Sequence, residues 1–407
     1  MIHSPKRLRQ SCTRRTLVLV SCFAFVCSAC GMKDSAGPAK VEGLRKKWEY
    51  KSSGSGMSHP AISIDGTIYA GTNSTVFAIS PAGKILWQTS MAGAGVPVLS
   101  DDGVIYLDTW HGSVFGLSAT GEIVWKPGYG LIGFGAPPAL GPNSALFFLN
   151  TAADIYSFQP KVSDKAIWNI DTFREGILGS PNVLPGSARS GGVTSRSAPL
   201  LTRASTLIVP RQNFLHSISA TGDPGWDLEV TSGHLGQAAL AHDGTIYVGD
   251  DQSVLFAVDP EGSLKWHFDA GGSVVGSPVI DNDGVVYFTA GPAVYAVNPD
   301  GSLKWRYAPQ PRIPLTTSPV IAADGTLYLG GDFAVLALHP DGTLKTNLRD
   351  YTPTSSLTIA QDGAIYFACG YSWLCAIEDV GSPLMRSAWP KQFHDLANTS
   401  NPLHGEN

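Results

Sequence analysis

The sequence predicts an all-β fold: an eight-bladed β-propeller of four-stranded blades, its ring closed by an N-terminal strand. Three observations carry that expectation. A phrase of about forty residues, rich in β-formers and punctuated by Gly and Pro, returns eight times, and each copy is the size of one blade. Six copies place an Asp-Gly pair at the same point, a tight-turn signal because glycine accepts positive φ. Trp48 stands alone ahead of the first full copy, 17 residues before Asp65, the spacing that separates Trp226 from Asp243.

Strand a of each copy follows a small residue and usually a proline, at Pro60, Pro97, Pro138, Pro199, Pro278 and Pro319, while the copies near Ala238 and Leu357 lack it. Strand b follows the turns Asp65-Gly66, Asp102-Gly103, Asp243-Gly244, Asp283-Gly284, Asp324-Gly325 and Asp362-Gly363, with degenerate copies at Asn143-Ser144 and Ala204-Ser205. Strand c alternates small and large apolar residues, as in Val76-Phe77-Ala78-Ile79. Strand d carries a tryptophan four residues after a turn glycine, in the pairs Gly83/Trp87, Gly121/Trp125, Gly222/Trp226, Gly262/Trp266 and Gly301/Trp305. Trp168 follows a turn without glycine, and the slot after Gly342 holds Thr346. The last copy, near Asp362, has strands a, b and c but no tryptophan at d, so the strand around Trp48 completes it and clasps edges that would otherwise stay open. Rings of this size at blade boundaries are read as structural fillers, each burying about 150–250 Å².

Outside the repeat, residues 1–29 carry Lys6, Arg7, Arg9, Arg14 and Arg15 and no acid, followed by the apolar run Thr16 to Val26. That is the pattern of a secretory signal, and it is short for a membrane span. Ser28-Ala29-Cys30 is similar to a bacterial lipobox, with Cys27 departing from the usual leucine; the readings are a lipidated Cys30 with residues 30–43 as a tether, or an ordinary signal cut nearby. The propeller then spans 44–380, with an insertion at about 176–195, and a tail runs over 381–407. Without residues 1–29 the chain holds 23 basic and 33 acidic side chains, which argues against general nucleic-acid binding. Of six cysteines only Cys369 and Cys375 lie in the propeller, a spacing that suits a disulfide in an exported protein or two thiols on adjacent strands, and not a four-ligand zinc site.

The stretch Ala257-Val258-Asp259-Pro260-Glu261-Gly262-Ser263-Leu264-Lys265-Trp266 resembles the tryptophan-docking repeat of the PQQ-like, quinoprotein-type propellers, as do Ala78 to Trp87 and Ala296 to Trp305. The resemblance covers most of residues 44–378 and implies eight blades. One branch of that superfamily contains PQQ-dependent alcohol and sugar dehydrogenases. Another contains non-enzymatic propellers, including the lipoprotein B subunit of the outer-membrane β-barrel assembly machinery. The dehydrogenases resemble longer chains with an adjacent-cysteine disulfide, and this sequence has no Cys-Cys pair and no matching Glu, Asn and Asp set for calcium. The resemblance therefore implies a non-enzymatic, monomeric envelope propeller without cofactor, attached to the membrane only by a lipid and engaging an envelope protein or complex. The alternatives are an oxidoreductase using PQQ with calcium, or a carbohydrate-binding propeller. The segment from Trp389 to Thr399 is similar to a tail on exported repeat proteins, or else packs Trp389 and Phe393 against a blade.

Other motifs carry little. Gly128-Tyr129-Gly130-Leu131-Ile132-Gly133 matches G-x-G-x-x-G but precedes prolines instead of a helix, so it reads as a d-to-a loop. Asp281-Asn282-Asp283-Gly284 lacks the remaining ligands of a calcium loop and reads as a turn. The candidate binding face is the one shared by the d-to-a and b-to-c connections. Its b-to-c turns hold Asp108, Trp110 and His111; Arg211, Gln212 and Asn213; Asp250, Asp251 and Gln252; Asp332 and Phe333; and Tyr371 and Trp373. Arg174 and the Gly/Ser/Pro-rich insertion fall on the same face. Aromatic rings beside Arg and acids have the composition of a recognition surface.

Overall fold

The computed structural model describes residues 43–109, 113–127, 136–149, 155–170, 197–274, 276–378, 382–395 and 398–401. Among them are eight antiparallel four-stranded sheets. Blade 1 is Ala61–Ile62, Ile68–Gly71, Thr75–Ile79 and Ile85–Ser90. Blade 2 is Val98–Leu99, Ile105–Asp108, Val114–Leu117 and Ile123–Trp125. Blade 3 is Ala139–Leu140, Leu146–Leu149, Ile155–Phe158 and Trp168–Ile170. Blade 4 is Leu200–Leu201, Thr206–Arg211, Phe214–Ser219 and Pro224–Glu229. Blade 5 is Ala239–Leu240, Ile246–Gly249, Val254–Val258 and Leu264–Asp269. Blade 6 is Val279–Ile280, Val286–Ala290, Ala293–Val297 and Leu303–Tyr307. Blade 7 is Val320–Ile321, Leu327–Gly331, Ala334–Leu338 and Leu344–Arg349. Blade 8 is Thr358–Ile359, Ala364–Cys369 and Trp373–Glu378, and its outer strand is Arg45–Lys51 from the start of the chain.

The a-to-b turns explain why the repeat tolerates two departures from Asp-Gly. Gly66, Gly244 and Gly284 sit at φ +83, +85 and +77, and the degenerate turns reach the same region with Asn143, Ser144 and Ser205 at +55, +59 and +59. The Asp281 carboxylate is consumed inside its turn, accepting from the Asp283 and Val285 N–H groups and from the Tyr287 hydroxyl. Strands a, b and c are almost wholly buried because both faces of each sheet meet a neighbouring blade, while strand d alternates exposed and half-buried positions.

The small residue of strand c has a specific reason. Ala78, Ala257 and Ala296 lie directly across from Trp87, Trp266 and Trp305, and the ladder is bulged at that point. Each indole is then aimed at the next blade. Trp226 lies over Gly262, Trp266 over Gly301 and Trp305 over Gly342, so close that a Cβ on the glycine would meet the ring at 2.4–2.9 Å. The indole Nε1 groups of Trp48, Trp87, Trp168, Trp226, Trp266 and Trp305 donate to carbonyls of the neighbouring turns at 2.7–3.0 Å. Thr346 replaces tryptophan where the next blade has no c-to-d turn to receive it, because that blade's outer strand comes from the N-terminus. Trp125 faces a blade-3 connection lacking glycine, and its buried Nε1 has no acceptor among the described residues.

The tail does more than pack two rings. Residues 382–395 and 398–401 supply partners to the inner strands. The Ile280 and Ile321 N–H groups donate to the Trp389 and Pro390 carbonyls at 2.8 and 3.0 Å. Leu140 and Leu201 donate to Thr399 and Ser400 at 2.9 and 3.0 Å. The Asn398 side-chain amide, fully buried, donates to the Pro60 and Pro97 carbonyls, both at 3.2 Å. Lys391, 2% exposed, donates to the Gln392 and Asp395 carbonyls and to Asn398 Oδ1 at 2.7, 2.9 and 2.6 Å. Burial pushes this ammonium down to about 7, and the nearby Asp395 charge opposes that. Trp389 is the largest fully buried side chain among the described residues and belongs to a core shared by blades 4, 5 and 6.

Candidate functional site

The face made by the d-to-a and b-to-c connections is tied together by backbone bonds. Val274 N–H donates to Asp250 O at 2.7 Å, Thr316 to Gly330 at 3.0 Å and Thr354 to Ala368 at 2.8 Å. These three d-to-a loops are thus pinned to a neighbouring b strand, which pre-sets what they present.

The structure divides the sequence-derived candidates. Asp108, Arg211 and Asp250 turn inward and are buried, which corrects their assignment to an exposed surface. Asp250 accepts from the Gln252 and Val254 N–H groups and from the Thr231 hydroxyl, so it builds its turn. Burial pushes the Asp108 carboxyl up to about 7, against the pull of its own backbone hydrogen bond. Asp251 is bound by His234 through both backbone and ring, at 2.9 and 3.0 Å. Asn213 donates to Glu229 at 2.9 Å, Gln212 is exposed beside it, and Asp332 is half-buried. The accessible rings lie on blades 7 and 8: Phe333 is 71% exposed, Tyr371 86% and Trp373 38%, with the Lys51 ammonium 5.5 Å from the Trp373 ring centre. Cys369 and Cys375 are joined as a disulfide across that hairpin, their Cα atoms 6.1 Å apart. Cys30, Trp110, His111, Arg174, the insertion and the G-x-G-x-x-G segment lie outside the described residues.

Five of the b-to-c turns among the described residues each hold one residue at positive φ, at differing places within the turn. The b-to-c turns of blades 6 and 8 put Gly291 and Gly370 at positive φ, +55 and +58, whereas those of blades 4, 5 and 7 put Gln212, Ser253 and Phe333 there, at +48, +78 and +60. A bulky aromatic residue in the left-handed region is held at a cost of about 1–2 kcal/mol. Phe333 bears that cost while largely exposed, so its packing does not explain it.

At the centre of the same face a cavity of about 340 Å³ opens above the tail. Its wall is formed by the d-to-a loops entering blades 6, 7, 8 and 1, and Gln392 of the tail forms part of its lining. The wall is hydroxyl-rich, and its one titratable side chain is the imidazole of His59. His59 stacks edge-on against Phe393 at 5.5 Å between ring centres. Desolvation, aided by the Lys391 charge, lowers its pKa from 6.5 to about 4, so the folded protein holds it neutral. The unfolded chain takes up that proton near 6.5 and the folded one only near 4. Stability from this group is therefore complete above about 6.5 and is lost as pH falls towards 4, by up to roughly 3 kcal/mol. His59→Gln is expected to flatten that part of the stability profile in denaturant titrations at pH 7, 5.5 and 4. Equal slopes in both proteins would remove His59 as the cause.

Neither the seat of the tail nor the cavity was legible from the repeat. The signal available was the dense non-repeating run Trp389-Pro390-Lys391-Gln392-Phe393-His394-Asp395 after the last copy, whose polar residues have no place in a blade.

A family model described as outer membrane protein assembly factor BamB matches residues 43–183 and 211–394. No curated protein matches the chain. Among solved structures, the chain is similar to BamB from Moraxella catarrhalis, with 17% identity and a TM-score of 0.65 over 83% of this chain and 98% of that one. It is also similar to the C-terminal WD40 domain of Sif2, with 11% identity and a TM-score of 0.67 over 84% and 99% of the two chains. The computationally designed Ika8 protein aligns with 13% identity and a TM-score of 0.64 over 80% and 98%. Identities this low speak for the fold alone.

Proposed function

Taking as premise that the chain belongs to the family of outer membrane protein assembly factor BamB, whose model spans most of it, we propose that it is a non-enzymatic scaffold of the bacterial envelope. It acts in the assembly of outer-membrane proteins, as a monomeric propeller anchored through a lipid on Cys30, and it holds a protein partner on the d-to-a and b-to-c face. The observation that carries this reading is the aromatic sector Phe333, Tyr371 and Trp373, exposed on pinned turns and flanked by Lys51. Exposed rings beside a cation on a rigid support are the usual anchors of protein interfaces. The strained backbone at Phe333 adds support, since a largely exposed ring is held there at positive φ.

The quinoprotein alternative fits the residues less well. The cavity wall has no cationic side chain to meet a carboxylated quinone, and among the described residues no cluster of three acidic, His or Cys groups is arranged around a metal-sized space.

Phe333→Gly separates binding from folding. Releasing the left-handed strain is expected to leave stability unchanged or raise it by up to ~1 kcal/mol. Mild in-cell crosslinking followed by co-purification from the membrane fraction should then recover the partner with wild type and lose it with Phe333→Gly and with Trp373→Ala. Cys30→Ala in the same fractionation reports on the anchor. A partner retained by both ring variants, or a quinone absorbance appearing stoichiometrically on adding PQQ and calcium, would overturn the reading.

A further inference from the structure

We propose that the central cavity above the tail is a binding site for a neutral, polyhydroxylated ligand, a sugar ring of one or two units. The inference does not rest on the partner-docking role of the aromatic sector, which lies on the outer turns. A volume of about 340 Å³ is at the small end of ligand sites, and the cavity opens towards the loop face with the tail's Gln392 in its wall.

The hydrogen-bond inventory of the wall selects the ligand. Five hydroxyls have spent their only proton inside the protein: Thr289 on Thr317 O, Thr316 on Pro353 O, Thr354 on Gly370 O, Ser355 on Ser356 O and Ser356 on Gln392 Oε1, at 2.7–3.4 Å. What each can still offer is an acceptor lone pair. Donors stand beside them: Ser318 accepts from the Ser277 N–H and keeps its own proton, and the exposed Ser273 hydroxyl makes no hydrogen bond among the described residues. The Gln392 amide uses its oxygen on Ser356 and leaves its NH₂ without a partner among the described residues. Thr317 accepts from the Gly330 N–H and keeps its own proton. The neutral His59 ring has Phe393 as a neighbour and makes no hydrogen bond among the described residues. The wall therefore offers hydrogen-bond acceptors and donors side by side, and no charge.

A ligand that satisfies such a wall must carry groups that both donate and accept, closely spaced in a small volume, and no net charge. A sugar places an O–H on nearly every carbon of a compact ring, and these can donate to the spent hydroxyls while accepting from the Gln392 amide and the Thr317 and Ser318 hydroxyls. A peptide offers one N–H per residue along an extended backbone, too few for five clustered acceptors. An ammonium group would meet acceptors but no carboxylate to offset its desolvation.

The test uses the whole protein and free sugars. Isothermal titration and saturation-transfer NMR would compare glucose, galactose, N-acetylglucosamine and their disaccharides with glucuronate, glucosamine and triglycine. At least one neutral sugar is expected to bind saturably, and the charged compounds and triglycine at least tenfold more weakly. Gln392→Ala should weaken the sugar about tenfold, the worth of one hydrogen bond to a desolvated group. Ser273→Trp, at the exposed rim of the cavity, should abolish binding while leaving thermal unfolding unchanged. The proposal fails if no neutral sugar binds at millimolar concentration, if both variants bind as wild type does, or if triglycine or glucosamine is preferred. Partner capture through Phe333 is read separately, so either proposal can fail alone.

Discussion

Asn398→Ala is expected to destabilise the protein by about 3–5 kcal/mol, among the largest effects of any single truncation of a polar side chain. The argument rests on what the Asn398 amide joins. Its nitrogen donates to the carbonyls that precede strand a of blades 1 and 2, and its oxygen receives the Lys391 ammonium at 2.6 Å. Alanine would leave two buried carbonyls unpaired and remove one of three acceptors from a cation that is 2% exposed. Unpaired buried groups cost about 1–3 kcal/mol each, and a buried charge missing a partner costs more. Denaturant unfolding checks the magnitude. Lys391→Met should relieve part of the penalty, because it removes the charge that Asn398 supports. The double variant should then fall short of the sum by more than about 1 kcal/mol. Additive effects would show that the two side chains do not act as one unit. A loss under 1 kcal/mol for Asn398→Ala would mean that the tail is not needed to hold the inner strands.

Gly262→Ala should cost about 2–5 kcal/mol for a different reason. The residue sits at φ +86, where an L side chain is strained by about 1–2 kcal/mol, and its new Cβ would lie 2.4 Å from Cδ2 of Trp226. Overpacking of that kind adds about 1–3 kcal/mol. The indole has little room to retreat, since its Nε1 is fixed to Pro260 O in the same turn at 2.9 Å. Trp226→Ala should also be destabilising, by about 3–5 kcal/mol, from lost burial. In the double variant the clash disappears, so the combination should cost less than the two singles together by about the overpacking term. A strictly additive result would leave strain at φ +86 as the whole effect and remove the ring from the account.

How far the sequence could be read follows from these two sites. The blades were legible because each is built from local signals: a turn that needs positive φ, a small residue across from a ring, and a glycine under the next ring. Even the irregular copies obey this logic, since Thr346 stands where the following blade has no turn to receive an indole. The seat of the tail was not legible, because the contacts of Asn398 with Pro60 and Pro97 span 338 and 301 residues and no local pattern announces them. The candidate face was legible only in part. Position in a b-to-c turn placed Phe333, Tyr371 and Trp373 correctly among exposed residues, but it could not distinguish them from Asp108 and Asp250. Asp108 ends strand b of its blade and Asp250 follows strand b of its own, and both side chains are buried.

The clasp in blade 8 also sets a timetable. Arg45 is hydrogen-bonded into register with Glu378, so the first strand to be synthesised waits for the last. At about 5–20 residues per second, the intervening chain takes on the order of 20–60 s to emerge. Through that interval the N-terminal strand has no partner, and blades 1 to 7 stand as an arc with two open edges. The tail, later still, can seat itself only once the arc has become a ring. Both ends of the chain thus act as a completion signal, and a nascent or partly delivered molecule is distinguishable from a finished one by its unsealed flanks.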